Sequence, residues 1–306
     1  MDEPKNKGGI YWLASYPKSG NTWFRVFLAH LIKSISPPPK FKKLEIPEDA
    51  IILNHIKTGQ IASARLWIDQ TLGFDSADLT LDELDLLRPQ IYAHLGLAMN
   101  KPSHHKIHDA YTKLPTEKPL IPSEGCLGAL YFIRNPLDVA ISFAHHSHCS
   151  IDQSIKNMHK PNFAFCKSAK RQDNQLRQWL LSWSKHVESW EIAQENMPVQ
   201  FIRYEDMKLN PIETFTKAAR FLQIEATDTQ IIQAIEKSNI KNLQALEKDN
   251  GFREKSAKAA SFFRKGIVGD WQETLTSEQI LQIIADHQKV MLKYGYLDKN
   301  GEPKTH

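Results

Sequence analysis

The apolar run IYWLA, residues 10–14, passes into the octapeptide YPKSGNTW, Tyr16 to Trp23, and then into an amphipathic stretch ending at Ile35. This order constrains the chain more than any other feature. Trp23, Val26, Phe27, His30, Leu31 and Ile35 recur at helical spacing, so the segment predicts a β-strand, a loop and an α-helix, with Pro37-Pro38-Pro39 as the stop. Gly20 lets backbone N–H groups turn inward, and the helix N-terminus adds partial positive charge. Lys18 supplies a mobile cation, and Ser19 and Thr22 supply hydroxyls, so the loop reads as a phosphate cradle. It is not the triphosphate loop GxxxxGK[ST], because here the Lys precedes the Gly and the loop is shorter. For the octamer alone, an ordinary βα turn with a chance Lys is the plainer alternative.

Two further strands are expected at residues 127–133 (LGALYFI) and 199–203 (VQFIR). The first ends at Arg134, and Pro136 suits the first turn of the following helix. Residues 44–103 read as mixed and mostly helical, with a capping box at Thr80 to Glu83 opening a helix that Pro89 should break. Residues 152–174 read as a surface loop with partial helix. Strands alternating with helices predict an α/β fold, a central, mainly parallel sheet flanked by helices, with ligands beyond the strands' carboxyl ends. The length of 306 residues, with 41% hydrophobic and 24% charged content, suits a single domain spanning 1–306.

Thirty-nine basic against 35 acidic residues give a net charge of +4, too little for nucleic-acid binding by bulk charge, so anion sites must come from local clusters such as Arg264-Lys265. The charged N-terminal decapeptide predicts neither a signal peptide nor a membrane anchor. Cys126, Cys149 and Cys166 form no CxxC pair, which favours a reducing cytoplasm over a disulfide scaffold.

YPKSGNTW resembles the 5′-phosphosulfate loop, usually YPKSGTTW, of sulfotransferases that use 3′-phosphoadenosine-5′-phosphosulfate (PAPS). YFIRNPLDVAISF, residues 131–143, is similar to that family's 3′-phosphate segment, and FRKGIVGDW, residues 263–271, to its RKGxxGDW loop. RYEDM, residues 203–207, matches a fourth element, and the motifs keep the family's order. The resemblance implies a P-loop-like sulfotransferase fold of the soluble branch, PAPS as sulfuryl donor, adenosine 3′,5′-bisphosphate (PAP) as product, and no metal. It implies that Lys18, Ser19, Gly20, Asn21, Thr22 and Trp23 hold the cofactor from one side, Asn21 through its backbone N–H because it replaces the usual Thr. Arg134, Ser142, Arg264, Lys265 and Gly266 would hold the 3′-phosphate, with Trp23, Tyr204 and Ser238 at the adenine. For Arg134 alone, a surface ion pair with Asp138 is the plainer reading.

KIHDAY, residues 106–111, looks like the family's KTHLP element, with Lys106 on the sulfuryl group and His108 as base. A neutral imidazole is suited to take a proton from an attacking hydroxyl. The expected reaction is in-line sulfuryl transfer to a hydroxyl or amine of a small molecule, with no nucleic-acid or membrane partner. The family's Lys-Thr-Val-Glu pairing pattern aligns with Gln272, Thr276, Ser277 and Leu281, of which only the Thr matches, so the oligomeric state stays open. Residues 40–105 are expected to form a mainly helical insertion shaping the acceptor pocket, with Trp67, Phe74, Tyr92 and His94 as candidates. HHSHC, residues 145–149, fits that pocket's lining better than a metal site, because ligands so crowded on a helix point apart. The rival readings are a P-loop-type small-molecule kinase and a non-catalytic nucleotide-binding protein.

Overall fold

A computed structural model of the protein describes residues 8–36, 53–56, 58–168, 170, 172–255 and 259–304. The proline run at 37–39 and the start of the expected insertion lie outside these residues. Strands β1 (Gly9–Ser15), β2 (Gln60–Ile61), β3 (Pro102–Ile107), β4 (Cys126–Ile133) and β7 (Val199–Arg203) form one sheet in the order β2-β3-β1-β4-β7. Every neighbouring pair in it is parallel. The short strands β5 (Ala164–Phe165) and β6 (Gln178–Trp179) pair antiparallel apart from it.

Alternation along β1 and β4 sorts the core onto two faces. Ile10, Trp12, Ala14, Ala129, Tyr131 and Ile133 pack on one side with helices α3 (Leu81–Leu97), α4 (Pro136–Ser147), α6 (Trp183–Ile192) and α12 (Ser277–Lys293). Tyr11, Leu13, Leu130 and Phe132 pack on the other with α1 (Asn21–Ile35), α8 (Pro211–Phe221) and α9 (Asp228–Lys237). A strand buried on both faces carries a continuous apolar run, as in residues 10–14. The remaining helices are α2 (Arg65–Leu72), α5 (Ile151–His159), α7 (Tyr204–Leu209), α10 (Ile240–Asn250) and α11 (Trp271–Thr274).

The break expected at Pro89 does not occur. Helix α3 runs through it, opened by the Thr80–Glu83 capping box. A mid-helix proline costs about 3 kcal/mol, and buried side chains on both sides of it, Leu84, Asp85 and Arg88 before and Ile91 and Tyr92 after, offset that cost. The stretch 152–174, expected to be a surface loop with partial helix, contains most of α5 and, beyond the expectation, the short strand β5. Strand β3 goes unanticipated by the sequence reading, because its PSHHKI carries no apolar run. Its histidines are nonetheless buried: His105 stacks on Trp67 at 4.8 Å, and His104 lies parallel to Tyr11 at 6.0 Å. Among the described residues, no helix is long and apolar enough to cross a membrane.

Candidate active site

Because the central strands are parallel, the segments following β1, β3, β4 and β7 emerge along one edge of the sheet. After β1 the chain turns at Lys18, whose φ of 72° is left-handed, and at Gly20, whose φ is 96°. A Cβ on Gly20 would lie 2.7 Å from Tyr204 Cδ2 and 2.8 Å from Met207 Cε, so the loop seats directly on α7. Ser19 is fully buried and, among the described residues, its Oγ has no hydrogen-bond partner, and neither does the buried Nε1 of Trp23. Lys18 Nζ sits 3.9 Å over the ring of Phe262. Burial, followed by the charges of Lys106 and Arg134, presses the Lys18 ammonium down to about 7.

The side chain of Asn21 turns away from the loop. Its Nδ2 donates to the Leu13 carbonyl at 2.8 Å and reaches Ser15 Oγ at 3.3 Å, tying the end of β1 to the start of α1. Asn21 is still in the cavity wall beside Gly20, Thr22 and Trp23. Trp23 meets Tyr204 edge-on at 5.9 Å, and Lys208 Nζ stands 4.6 Å over its indole.

Arg134, immediately after β4, lies 4.3 Å over the Tyr204 ring and donates to the carbonyls of Lys18 at 3.3 Å and Ile267 at 3.0 Å. The i,i+4 contact to Asp138 exists too, at 3.4 Å, while the buried Arg134 Nε has no partner among the described residues. Asp138 in turn accepts from the N–H groups of Gly269 at 3.0 Å and Trp271 at 3.1 Å, which brings the 263–271 segment against α4. Arg264 and Lys265 both pair with Asp270, the Lys at 2.6 Å. One cavity is lined by Lys18, Arg134, Ser142, Arg264, Lys265 and Gly266, with Trp23 and Tyr204 also in its wall. Ser238 is not in that wall: it is fully buried and donates to the Ile235 carbonyl at 3.1 Å, and Ile240 faces the cavity instead.

His108 follows β3. The Ser15 carbonyl, 2.8 Å from Nδ1, can only accept, which assigns the proton to Nδ1 and leaves Nε2 as the basic nitrogen. Burial, with the Lys106 charge second, holds the ring well below its ordinary range, so the imidazole is neutral near pH 7. The His108 carbonyl accepts from His186 Nε2 at 3.0 Å, and the Tyr131 hydroxyl meets His186 Nδ1 at 2.7 Å, a buried chain that fixes the strand end. Lys106 Nζ pairs with Glu254 Oε2 at 2.6 Å, and the other oxygen of Glu254 pairs with Arg25 at 2.7 Å. Burial alone would raise the Glu254 carboxyl, but Arg25 and Lys106 outweigh it and hold the group below the usual carboxylate range.

Lys18, His108 and Phe262 also belong to a second cavity of about 880 Å³. Its other walls come from Pro17, from Lys106, from His146 and Ser147 at the end of α4, from Phe165 and Cys166, from Asp173, Asn174, Gln175 and Gln178, and from residues 253–255. No described residue of 40–105 lines it. Tyr92 is core, Trp67 is half-buried against His105, and Phe74 and His94 are exposed. Within the HHSHC run, His146 packs edge-on against Phe262 at 6.0 Å and His148 is the left-handed C-cap of α4. Among the described residues, no group of three His, Cys, Asp or Glu side chains could hold a metal ion.

A sulfotransferase domain profile matches residues 10–295. The chain belongs to the sulfotransferase family. It is 26% identical to human sulfotransferase 6B1 over 275 residues, which cover 87% of this chain and 71% of that protein. Dog sulfotransferase 1B1 is 29% identical over 162 residues, 49% of this chain and 50% of the dog protein. Rabbit amine sulfotransferase is 27% identical over 159 residues, again 49% of this chain and 50% of the relative. The chain thus spans about half the length of these last two. In fold it is similar to mouse sulfotransferase SULT7A1 complexed with PAP, with a TM-score of 0.57, 20% identity and coverage of 95% of this chain and 85% of the other. A retinol dehydratase in complex with retinol and PAP gives a TM-score of 0.58 at 17% identity, with coverage of 92% and 81%.

The candidate site also contains residues that the motifs do not point to. Asp138 and Asp270 organise the cationic loop, Glu254 and Arg25 bracket Lys106, and Phe262 faces Lys18. Arg134-x-x-x-Asp138 and Arg264-Lys265 near Asp270 were local signals for the first pair. For Glu254 no local signal existed, since its partners lie 229 and 148 positions away.

Proposed function

We propose that this protein is a PAPS-dependent sulfotransferase acting on a hydroxyl or amine of a small-molecule acceptor, with residues 1–306 as one catalytic domain. The observation that carries the reading is that Lys18 and His108 stand in the wall shared by two cavities, one rich in cations and the other open to an acceptor. The residues fit a nucleotide phosphorylated at both ends: Ser19 Oγ, Trp23 Nε1 and Arg134 Nε are buried polar atoms lacking partners among the described residues, and a Cβ on Gly20 would collide. Lys18, Ser19, Gly20, Asn21 and Thr22 would hold the 5′ end, with Trp23 and Tyr204 at the base. Arg134, Ser142, Arg264, Lys265 and Gly266 would hold the 3′-phosphate, and Ile240, in place of Ser238, lines the cavity. PAPS supplies the activated sulfuryl group when bound.

His108 Nε2 takes the acceptor proton, while the Nδ1–H bond to Ser15 keeps the ring oriented. Lys18 and Lys106 meet the negative charge that grows on the sulfuryl and leaving oxygens, stabilising the transition state over the ground state. Family membership does not favour the kinase alternative. The three cysteines form no CxxC pair, which supports a cytoplasmic location. The test incubates the protein with PAPS and a panel of metabolites and looks by mass spectrometry for added sulfuryl groups. PAP should raise the melting temperature and ATP with magnesium should not, because ATP has nothing for the Arg134 and Arg264-Lys265 side of the cleft. Equal stabilisation by both nucleotides, or PAP binding without turnover on any acceptor, would overturn the proposal.

A further inference from the structure

The acceptor-side cavity has an uncommon lining for a site that would take a phenol or a sterol. Its apolar side chains, among the described residues, are Pro17, Phe165, Cys166 and Phe262, and the rest of the wall is amide, hydroxyl, imidazole or charged. At about 880 Å³ it lies in the range of ~300–1,000 Å³ found for ligand pockets, which are lined predominantly by apolar groups. Asn174, Gln175 and Gln178 form its floor on one short stretch. Gln175 Oε1 accepts from Gln178 Nε2 at 2.9 Å and from Ser63 Oγ at 3.2 Å. Among the described hydrogen bonds, that leaves the Gln175 NH₂ group as donor and the Gln178 carbonyl oxygen as acceptor for a ligand.

The amides are also held in place. Leu176 N–H donates to the Ser63 carbonyl at 2.7 Å, Arg65 N–H to the Asn174 carbonyl at 3.0 Å, and Arg65 Nε to the Asp173 carbonyl at 2.9 Å. Residues 63–65 thus form the pocket indirectly, by clamping the stretch that lines it. Gln178 is itself buried at 4% exposure and stands on strand β6.

A phenol brings one hydroxyl, and that one is spent on the reaction at His108. Its ring would leave the amides dehydrated and unpaired, which is how a polar site rejects an acceptor lacking the matching groups. A sugar ring brings several hydroxyls that donate and accept at once, and its C–H face suits the rings of Phe165 and Phe262.

We propose that this cavity takes a polyhydroxylated acceptor of the saccharide or glycoside class, its ring hydroxyls read by Asn174, Gln175 and Gln178. The assignment rests on the sulfuryl-transfer reading above. The test gives the full chain PAPS with two acceptor sets at equal concentration. One set holds methyl glucoside, methyl galactoside, methyl mannoside and maltose; the other holds 4-nitrophenol and a hydroxysterol. Transfer to a glycoside at least tenfold faster than to the phenol or sterol is expected. In Asn174→Ala, an exposed position that leaves the fold intact, and in Gln178→Leu, the glycoside KM should rise at least tenfold while the melting shift given by PAP stays unchanged. Equal or faster transfer to the phenol or sterol, an unchanged KM in both variants, or transfer to neither set by a protein that PAP stabilises would overturn the assignment. Absence of any PAP stabilisation would instead overturn the reading beneath it.

Discussion

At the scale of single residues, Lys18 is under opposed influences. The face of Phe262 favours a cation, while burial and the charges of Lys106 and Arg134 press its pKa to about 7. Above pH 7 the unliganded side chain is therefore largely neutral, and an anionic ligand must raise its pKa on binding. Calorimetric titration of PAP at pH 8 in buffers of different ionisation enthalpy should accordingly report net proton uptake of up to about one proton, abolished in Lys18→Met. His108→Ala should fold and lose about 10²–10⁴ in rate, read by mass-spectrometric turnover. The chemistry of Lys18 and Gly20 was legible in the sequence because a βα loop makes its own environment. Asn21 was not, since its side chain serves the Leu13 carbonyl, a partner set by how β1 meets α1. Ser238 likewise follows from motif alignment, but a helix turn directs its hydroxyl to Ile235.

At the scale of elements, local signals and long-range ones part company. The capping box at Thr80 to Glu83 forms as read, with Glu83 N–H on Thr80 Oγ1 at 3.2 Å and Thr80 N–H on Glu83 Oε2 at 2.8 Å. Thr80→Ala should cost about 1 kcal/mol in urea unfolding and leave the PAP melting shift intact. Glu254 shows the other kind. It pins the segment before Phe262 to α1 through Arg25 and to β3 through Lys106, with both partners nearly buried. Glu254→Ala strands two cations in a low dielectric, so a loss of about 3–5 kcal/mol in urea unfolding is expected. Turnover should fall with it, because Lys106 loses the group that orients it. Strand β3 escaped the sequence reading for a related reason. Its histidines behave as core only because Tyr11 and Trp67 supply faces for them, and those contacts exist only after the sheet assembles.

At the scale of the whole molecule, the buried histidines make the fold acid-sensitive. His104, His105, His186 and His287 are each at most 8% exposed, and burial lowers the first three to about 4 and the last to about 3. In the unfolded chain each would titrate near its ordinary value of 6.5. Between those limits the unfolded state binds more protons, so stability is full above pH 6.5 and falls as pH drops. By pH 5 each histidine should withdraw up to about 2 kcal/mol. Carboxylates held low by cations, such as Glu254, add their own loss only at lower pH. Urea midpoints measured from pH 7.5 to 5 should therefore fall steeply below 6.5, well before ordinary carboxylates titrate. A flat profile down to pH 5 would mean that these imidazoles are charged or hydrated in the native state. In that case the neutral His108, bonded to His186 through its carbonyl, would also have to be reconsidered as the base.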